Sequence, residues 1–256
     1  MTVPAGGYDP SFFELLTAAE DKHFWFRSRT AVIASMAADA VAGLARGYRV
    51  LELGCGNGNV TRSLQASCPD GLVIGMDLFG EGLQNARRRG APLLVQADVK
   101  QAPFISKFHV IGIFDVLEHI PDDRAILRQV FDLLEPGGTL LITVPAHQEL
   151  WSYFDEASRH CRRYELPDLR AKLTESGYGI DYLSQYMMAL YPLMWLGRRF
   201  AGRKHGDARQ MAAKELQVAP ILNAALNFVL AQELPWLVRR AHLPLGTSLI
   251  AVARKP

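Results

Sequence analysis

Arg49-Val50-Leu51-Glu52-Leu53-Gly54-Cys55-Gly56-Asn57-Gly58-Asn59 reads as a short buried strand, an acid near its end, and a tight glycine turn opening a helix. Glycines 54, 56 and 58 let the backbone turn sharply and approach a ligand where a Cβ would collide. The dinucleotide-binding form of this turn requires G-x-G-x-x-G, and Asn59 stands where its third glycine belongs. A nicotinamide dehydrogenase is therefore disfavoured, and no catalytic constellation for hydride transfer accompanies the turn.

Working outward, Leu72-Val73-Ile74-Gly75-Met76-Asp77 is a second apolar run, ending in an acid 19 residues after Gly58. A carboxylate at that strand tip is placed to accept both ribose hydroxyls of an adenosine lying across the strand ends. A third strand, Pro92 to Val99, carries Asp98, and a fourth, Val110 to Phe114, runs into Asp115-Val116-Leu117-Glu118-His119-Ile120. A helix follows, with Pro121-Asp122-Asp123 at its start, apolar residues at 126, 127, 130, 133 and 134, and Pro136-Gly137-Gly138 as its stop. Thr139 to Pro145 is the fifth strand.

An acid before a G-x-G-x-G loop, followed by strand, acid, strand, acid, strand, Glu-His, helix, Pro-Gly-Gly and strand, resembles the class I S-adenosylmethionine (SAM) methyltransferases. Within them it is most similar to the type 11/12 group with small-molecule acceptors. The resemblance covers roughly residues 48 to 186 and resumes at 246 to 254. It implies an α/β, Rossmann-like sheet of seven strands in the order 3-2-1-4-5-7-6, with helices on both faces. It implies SAM as cofactor and S-adenosylhomocysteine as product. The cofactor contacts it implies are Glu52, Gly54, Cys55, Gly56, Gly58, Asp77, Leu78, Asp98, Val99, Phe114 and Asp115. In the family the acid corresponding to Asp98 accepts from the adenine amino group, and the next residue packs on the ring.

Composition agrees with one soluble α/β domain carrying attachments. The 256 residues are 49% hydrophobic, and the strands read as the continuous apolar runs expected of a sheet covered on both faces. A net charge of +2 argues against nucleic acid as a partner. Cys55, Cys68 and Cys161 are unclustered, which argues for a reducing compartment and against a disulfide framework or structural zinc. The first residues lack the basic and apolar regions of a signal peptide, and the expected location is cytoplasmic.

Four segments are expected: a helical cap over 1–45, a SAM-binding core over 46–186, a helical insertion over 187–245, and a final strand and tail over 246–256. Phe12, Leu15, Leu16 and Ala19 follow helical spacing, and a second helix is expected over 30–45, rich in alanine and valine. The cluster His23-Phe24-Trp25-Phe26-Arg27-Ser28-Arg29 is read either as a staple fixing the cap or as an apolar lid excluding water. By the resemblance, Arg27 or Arg29 meets the methionine carboxylate; alternatively either is a surface ion pair.

After strand five, Ala146 to Asp155 and Arg159-His160-Cys161-Arg162-Arg163-Tyr164 form an aromatic and basic loop at the carboxyl end of the sheet. It is read as acceptor-binding or as a rigid loop with Arg162 and Arg163 solvated or paired to Asp155 and Glu156. Leu166 to Gly177 is the next helix; strands six and seven fall near Gly179 to Gln185 and Thr247 to Ala253. The insertion between them holds an apolar segment Met187 to Leu196, a polar stretch 201–212 expected to be mobile, and a stripe. That stripe, Val218, Ile221, Leu222, Ala225, Leu226, Val229 and Leu230, has helical 3-4 spacing. It is expected to pack as a cap over the acceptor pocket, with a homodimer interface as second reading and peripheral contact with an anionic membrane as third. Asn223, Asn227, Gln232 and Glu233 argue against a spanning helix.

A sulfonium methyl is already electrophilic, so the protein must chiefly align the acceptor at ~3 Å and exclude water, a proximity effect supplying roughly 7–11 kcal/mol. A hydroxyl or protonated amine must also lose a proton, for which neutral imidazole is suited near pH 7. His119 is the first candidate, although Glu-His pairs after strand four are also structural; His147 and His160 in the acceptor loop come next. No cluster of acids and asparagine announces a magnesium enzyme, and no metal is expected. The acceptor is expected to be a small hydrophobic molecule. Competing readings are cyclisation or rearrangement by a SAM-binding enzyme, and a non-catalytic partner subunit; the complete set of Glu52, Gly54, Gly56, Asp77 and Asp98 speaks against the last.

Overall fold

A computed structural model of the protein describes residues 12–200, 214 and 216–256. Seven strands form one sheet: β1 Arg49–Leu53, β2 Leu72–Asp77, β3 Leu94–Gln96, β4 Phe108–Phe114, β5 Leu134–Pro145, β6 Gly179–Tyr186 and β7 Ser248–Arg254. Their spatial order is β3-β2-β1-β4-β5-β7-β6, as the sequence predicts. Strands one to five are mutually parallel, while β7 pairs antiparallel with both β5 and β6.

The apolar runs form central strands because both faces are covered. Successive side chains of a strand point to opposite faces. Leu51 and Leu53, Ile111 and Ile113, Leu140 and Ile142, and Leu249 and Ala251 therefore join one buried cluster. Val50, Val110, Leu141, Ile250 and Val252 join the other. Helices α5 (Asp123–Leu133) and α7 (Leu166–Glu175) close the first cluster with Ile126, Leu127, Val130, Leu169 and Leu173. Helices α2 (Phe24–Val41) and α3 (Asn59–Ser67) close the second with Val32, Ile33, Met36, Val60 and Leu64. Each such large side chain contributes about 1.5–3 kcal/mol.

Several boundaries differ from the sequence expectation. Strand β3 is only Leu94–Gln96, the short form an edge strand takes because its outer backbone groups have no neighbour to pair with. Pro136-Gly137-Gly138 stops α5 but lies within β5, at a break of register opposite Phe108 and Val110. After α1 (Phe12–Ala19), the second helix α2 begins at Phe24 rather than near residue 30 and ends at Val41 rather than 45. His23 caps α2, its Nδ1 accepting the Trp25 N–H at 3.2 Å. The side chains of Phe12 and Leu15 lie outside the described residues.

The insertion contributes helices Leu190–Phe200, Pro220–Ala231 and Leu234–Val238. The polar stretch 201–212 lies outside the described residues. The stripe at 218–230 is not the buried seam its spacing predicts. Asn223, which lies off the stripe, docks the helix: its Oδ1 accepts the Phe24 N–H at 2.8 Å and its Nδ2 donates to Lys22 O at 2.9 Å. The first amides of a helix lack internal partners, so this bond fixes the rotation of the insertion helix against the start of α2. Leu230 is then buried and Leu226 partly so, while Ile221 is 87% exposed.

Candidate active site

The carboxyl ends of β1, β2 and β4 meet beneath the glycine turn. Gly54 and Cys55 donate their N–H groups to Met76 O at 2.8 and 3.0 Å, tying the turn to β2. Gly54 has φ of 75° and Gly58 has φ of 74°, backbone in which side chains are strained. A Cβ on Gly58 would lie 2.6 Å from the Cβ of Ala86 in the helix Gly80–Arg88, and one on Gly54 would collide with Val116. The turn is thus wedged between that helix and the loop that follows β4. Asp77 ends β2 with Oδ2 accepting the Gly56 N–H at 2.8 Å and Oδ1 accepting the Phe79 N–H at 2.9 Å. Burial raises its pKa, against the pull of those amide bonds. Asp98 caps the next turn, accepting the Lys100 N–H at 2.9 Å.

These groups open into one cavity of about 630 Å³, whose lining includes Gly54, Cys55, Gly56, Asp77, Leu78, Asp98 and Val99. Its wall is rich in carboxylates. Glu52 is buried, accepts from the Thr61 hydroxyl, and is pushed up to about 8 by burial. Glu118 is also buried and lies well above the usual carboxylate range, from burial first and from the neighbouring Asp115 second. Arg29 reaches in from α2, pairs through Nε with Asp115, and donates from Nη2 to Phe114 O at 2.8 Å, with Trp25 beneath its guanidinium. Asp115 itself adopts φ of 54° and accepts from the Thr143 hydroxyl at 3.0 Å. From the end of α1, Glu20 receives Asn57 Nδ2 at 3.2 Å and pairs with Arg89 at 3.1 Å.

On the far side, His119 and His160 meet edge to face, their ring centroids 4.7 Å apart. Asp155 accepts from His160 Nδ1 at 2.8 Å, from Arg163 Nη1 at 2.9 Å and from the Ser152 N–H at 2.9 Å. Burial alone would raise the Asp155 pKa, but the His160 bond and the Arg163 charge outweigh it and lower it. A carboxylate on Nδ1 places the proton there and leaves Nε2 as the accepting nitrogen. His119 differs: burial first, then the neighbouring His160, lower its pKa to about 3, so it stays neutral near pH 7. Glu118, His119 and His160 also bring their ligand-type atoms within 4.8 Å of one another, a donor set of two imidazoles and a carboxylate that sequence spacing did not disclose.

The sequence candidates separate accordingly. Glu52, Gly54, Cys55, Gly56, Asp77, Leu78, Asp98, Val99, Asp115, Arg29, His119 and His160 line the cavity. Three do not. Gly58 caps α3; Phe114 packs in the sheet core and offers only its carbonyl to Arg29; His147 is held by Gln185 at 2.6 Å and Glu165 at 3.2 Å. Arg27 is exposed, and Arg162 pairs with Asp123 rather than Asp155 or Glu156. The aromatic cluster serves both readings, because Phe26 is buried while Phe24, Trp25 and Phe26 line the cavity. Sequence reasoning missed Glu20 and the role of Asp155. The second had a signal in its five-residue spacing from His160; the first had none, because α1 reaches the site only through the tertiary fold.

A family model described as a methyltransferase domain matches residues 22–183. Among curated proteins, the ubiquinone biosynthesis O-methyltransferase of Bordetella avium is 26% identical over 131 residues, 48% of each chain. The trans-aconitate 2-methyltransferase of Methylobacterium radiotolerans is 37% identical over 97 residues, 37% of each. The chain thus spans about half or less of the length of these relatives. Among solved structures, the magnesium protoporphyrin IX methyltransferase of Synechocystis with bound SAM superposes with a TM-score of 0.54 at 16% identity, covering 90% of this chain and 81% of that one. The phosphoethanolamine N-methyltransferase 2 of Haemonchus contortus in complex with SAM gives 0.55 at 19% identity, over 87% and 52%. At such identities the structures establish a shared fold.

Proposed function

The chain belongs to the methyltransferase-domain family, and from that premise we propose that it methylates a hydroxyl of a small, largely apolar molecule, using SAM. The observation that carries this reading is that the glycine turn, Asp77 and Asp98 share one cavity with the Asp155–His160 pair.

The residues fit the cofactor. Asp77 is anchored by two backbone amides and keeps lone pairs for a ribose diol. In this reading Asp98 accepts from an amino group, supported by its place in the cavity lining with Leu78 and Val99. Glu52 and Glu20 stand on the same wall as Arg29, and a bound cationic amino acid end would draw their raised pKa values down and meet them as carboxylates. When bound, SAM supplies a methyl group on a positively charged sulfur. His160 Nε2 accepts the acceptor hydroxyl proton; Asp155 holds the imidazole in the competent tautomer and stabilises the cation formed. His119, neutral and half-buried beside it, packs the base in place. Phe24, Trp25, Leu190, Met194 and Leu226 form apolar walls that exclude water and favour an apolar acceptor.

The test is turnover of phenolic and aliphatic alcohols with labelled SAM, with detection of methylated product and S-adenosylhomocysteine. His160→Ala should lower turnover by about 10²–10⁴-fold with SAM affinity unchanged. Equal loss of SAM affinity would move His160 into cofactor binding. Loss of wild-type turnover on adding a chelator would replace the base by a metal held by Glu118, His119 and His160. S-adenosylhomocysteine or cofactor consumption without a methylated product would favour cyclisation or rearrangement.

A further inference from the structure

Both long insertion helices flank the cavity with one face and turn the other to solvent. Leu190, Met194 and Arg198, at i, i+4 and i+8, line the cavity from the first helix; Leu222 and Leu226 line it from the second. Their outer faces are apolar. Leu193, Trp195 and Leu196 are exposed on the first helix, while Ile221, Phe228 and Trp236 on the second and the helix after it are 87%, 67% and 62% exposed. Leu222 lines the cavity and is 53% exposed, so the cavity reaches the surface within this patch.

Charge identifies the kind of partner. Among the described residues of the insertion, Arg198, Arg199, Lys214, Arg239 and Arg240 stand against one acid, Glu233. That acid is buried and accepts the Ala189 N–H at 3.1 Å; Arg198 lines the cavity and Arg240 pairs with Asp39 of α2, so Arg199, Lys214 and Arg239 carry the exposed charge. The whole chain totals only +2, so positive charge is concentrated on this segment. Exposed tryptophan and phenylalanine with a basic rim is the composition of an interfacial segment, with aromatic rings at headgroup depth and cations meeting anionic lipid.

We propose that this face of the insertion docks on an anionic lipid bilayer surface, and that the apolar acceptor enters the cavity from there. The second clause rests on the acceptor reading above; the docking does not. Contact is peripheral. Pro220–Val238 is long and apolar enough by length and composition to cross a membrane. Its helix nevertheless ends at Ala231, and it is fastened along α2 by Asn223, Leu230 and Leu237.

Cosedimentation of the full chain with vesicles tests the docking independently of any methyl transfer. Vesicles of phosphatidylcholine alone are compared with vesicles containing phosphatidylglycerol, at low and high salt. The wild type should sediment with the anionic vesicles and be released by salt. Ile221→Asp combined with Phe228→Asp should abolish sedimentation. Arg199→Glu with Arg239→Glu should weaken it by roughly tenfold or more. All are exposed side chains, and unchanged SAM affinity in each variant verifies the fold. Two outcomes overturn the proposal. One is a wild type that stays in the supernatant with anionic vesicles. The other is a dimer that the two aspartates convert to a monomer while vesicle binding is absent, which makes the face an interface between copies of this chain.

Discussion

The central sheet and the insertion are both built from apolar runs, yet they bury them differently. Leu51, Ile111 and Ile142 have essentially no exposed surface, whereas Ile221, Phe228 and Trp236 are more than half exposed. The sheet presents two faces and the chain supplies helices for both, so an apolar strand has nowhere to be but inside. The insertion helix has one docking edge, set by Asn223 on α2, and much of the rest of its surface faces cavity or solvent. Helical spacing of apolar residues specifies a face; it does not specify what covers that face.

Paired truncations sharpen this contrast most strongly. Leu51→Ala should cost about 2–5 kcal/mol in denaturant unfolding, because the rigid sheet keeps the resulting cavity. Ile221→Ala should stay within roughly 0.5 kcal/mol, as exposed sites do. Equal losses would mean that the insertion face is covered in solution and the contrast is false.

Asp77 extends the comparison to function. It belongs to the sheet half of the site, so Asp77→Ala should lower SAM affinity by about 1.5–3 kcal/mol for each charged hydrogen bond lost. Its effect on vesicle binding should be nil. Calorimetric titration with unchanged affinity would remove Asp77 from the cofactor site.

The most gradual effect, spread over several pH units, is in the pH dependence of the unliganded protein. With His119 lowered to about 3, the unfolded chain takes up this proton first as pH falls below about 6.5. Stability should therefore drop between about pH 6.5 and pH 3, at no more than ~1.4 kcal/mol per pH unit from this group. Glu52, raised to about 8 from 4.5, works oppositely: the folded state holds its proton longer, so stability declines as pH rises through that interval. His119→Asn should flatten the acid limb and Glu52→Gln the alkaline one in thermal melts. An unaltered acid limb in His119→Asn would show that this imidazole titrates normally.

The order of strands, the glycine turn and the acids at the strand tips were legible in the residues themselves. Buried parallel strands, tight turns and terminal carboxylates are local requirements, written in contiguous stretches such as 49–59 and 72–77. Other features required the fold. How the two imidazoles differ was not legible, because His119 and His160 are 41 residues apart and are set apart by the Asp155 contact of His160, the Arg163 beside it and the desolvation of His119. The exclusion of His147 depends on Gln185 from β6, and the entry of Glu20 depends on α1 folding over Asn57 and Arg89. The sequence by itself determined the sheet, its glycine turn and the acids at its strand tips, since short-range pattern sets strand, turn and tip. Only the tertiary structure decided which side chains share the cavity and which apolar face stays exposed, since those rest on contacts between distant segments and on the rotation of one helix held by Asn223.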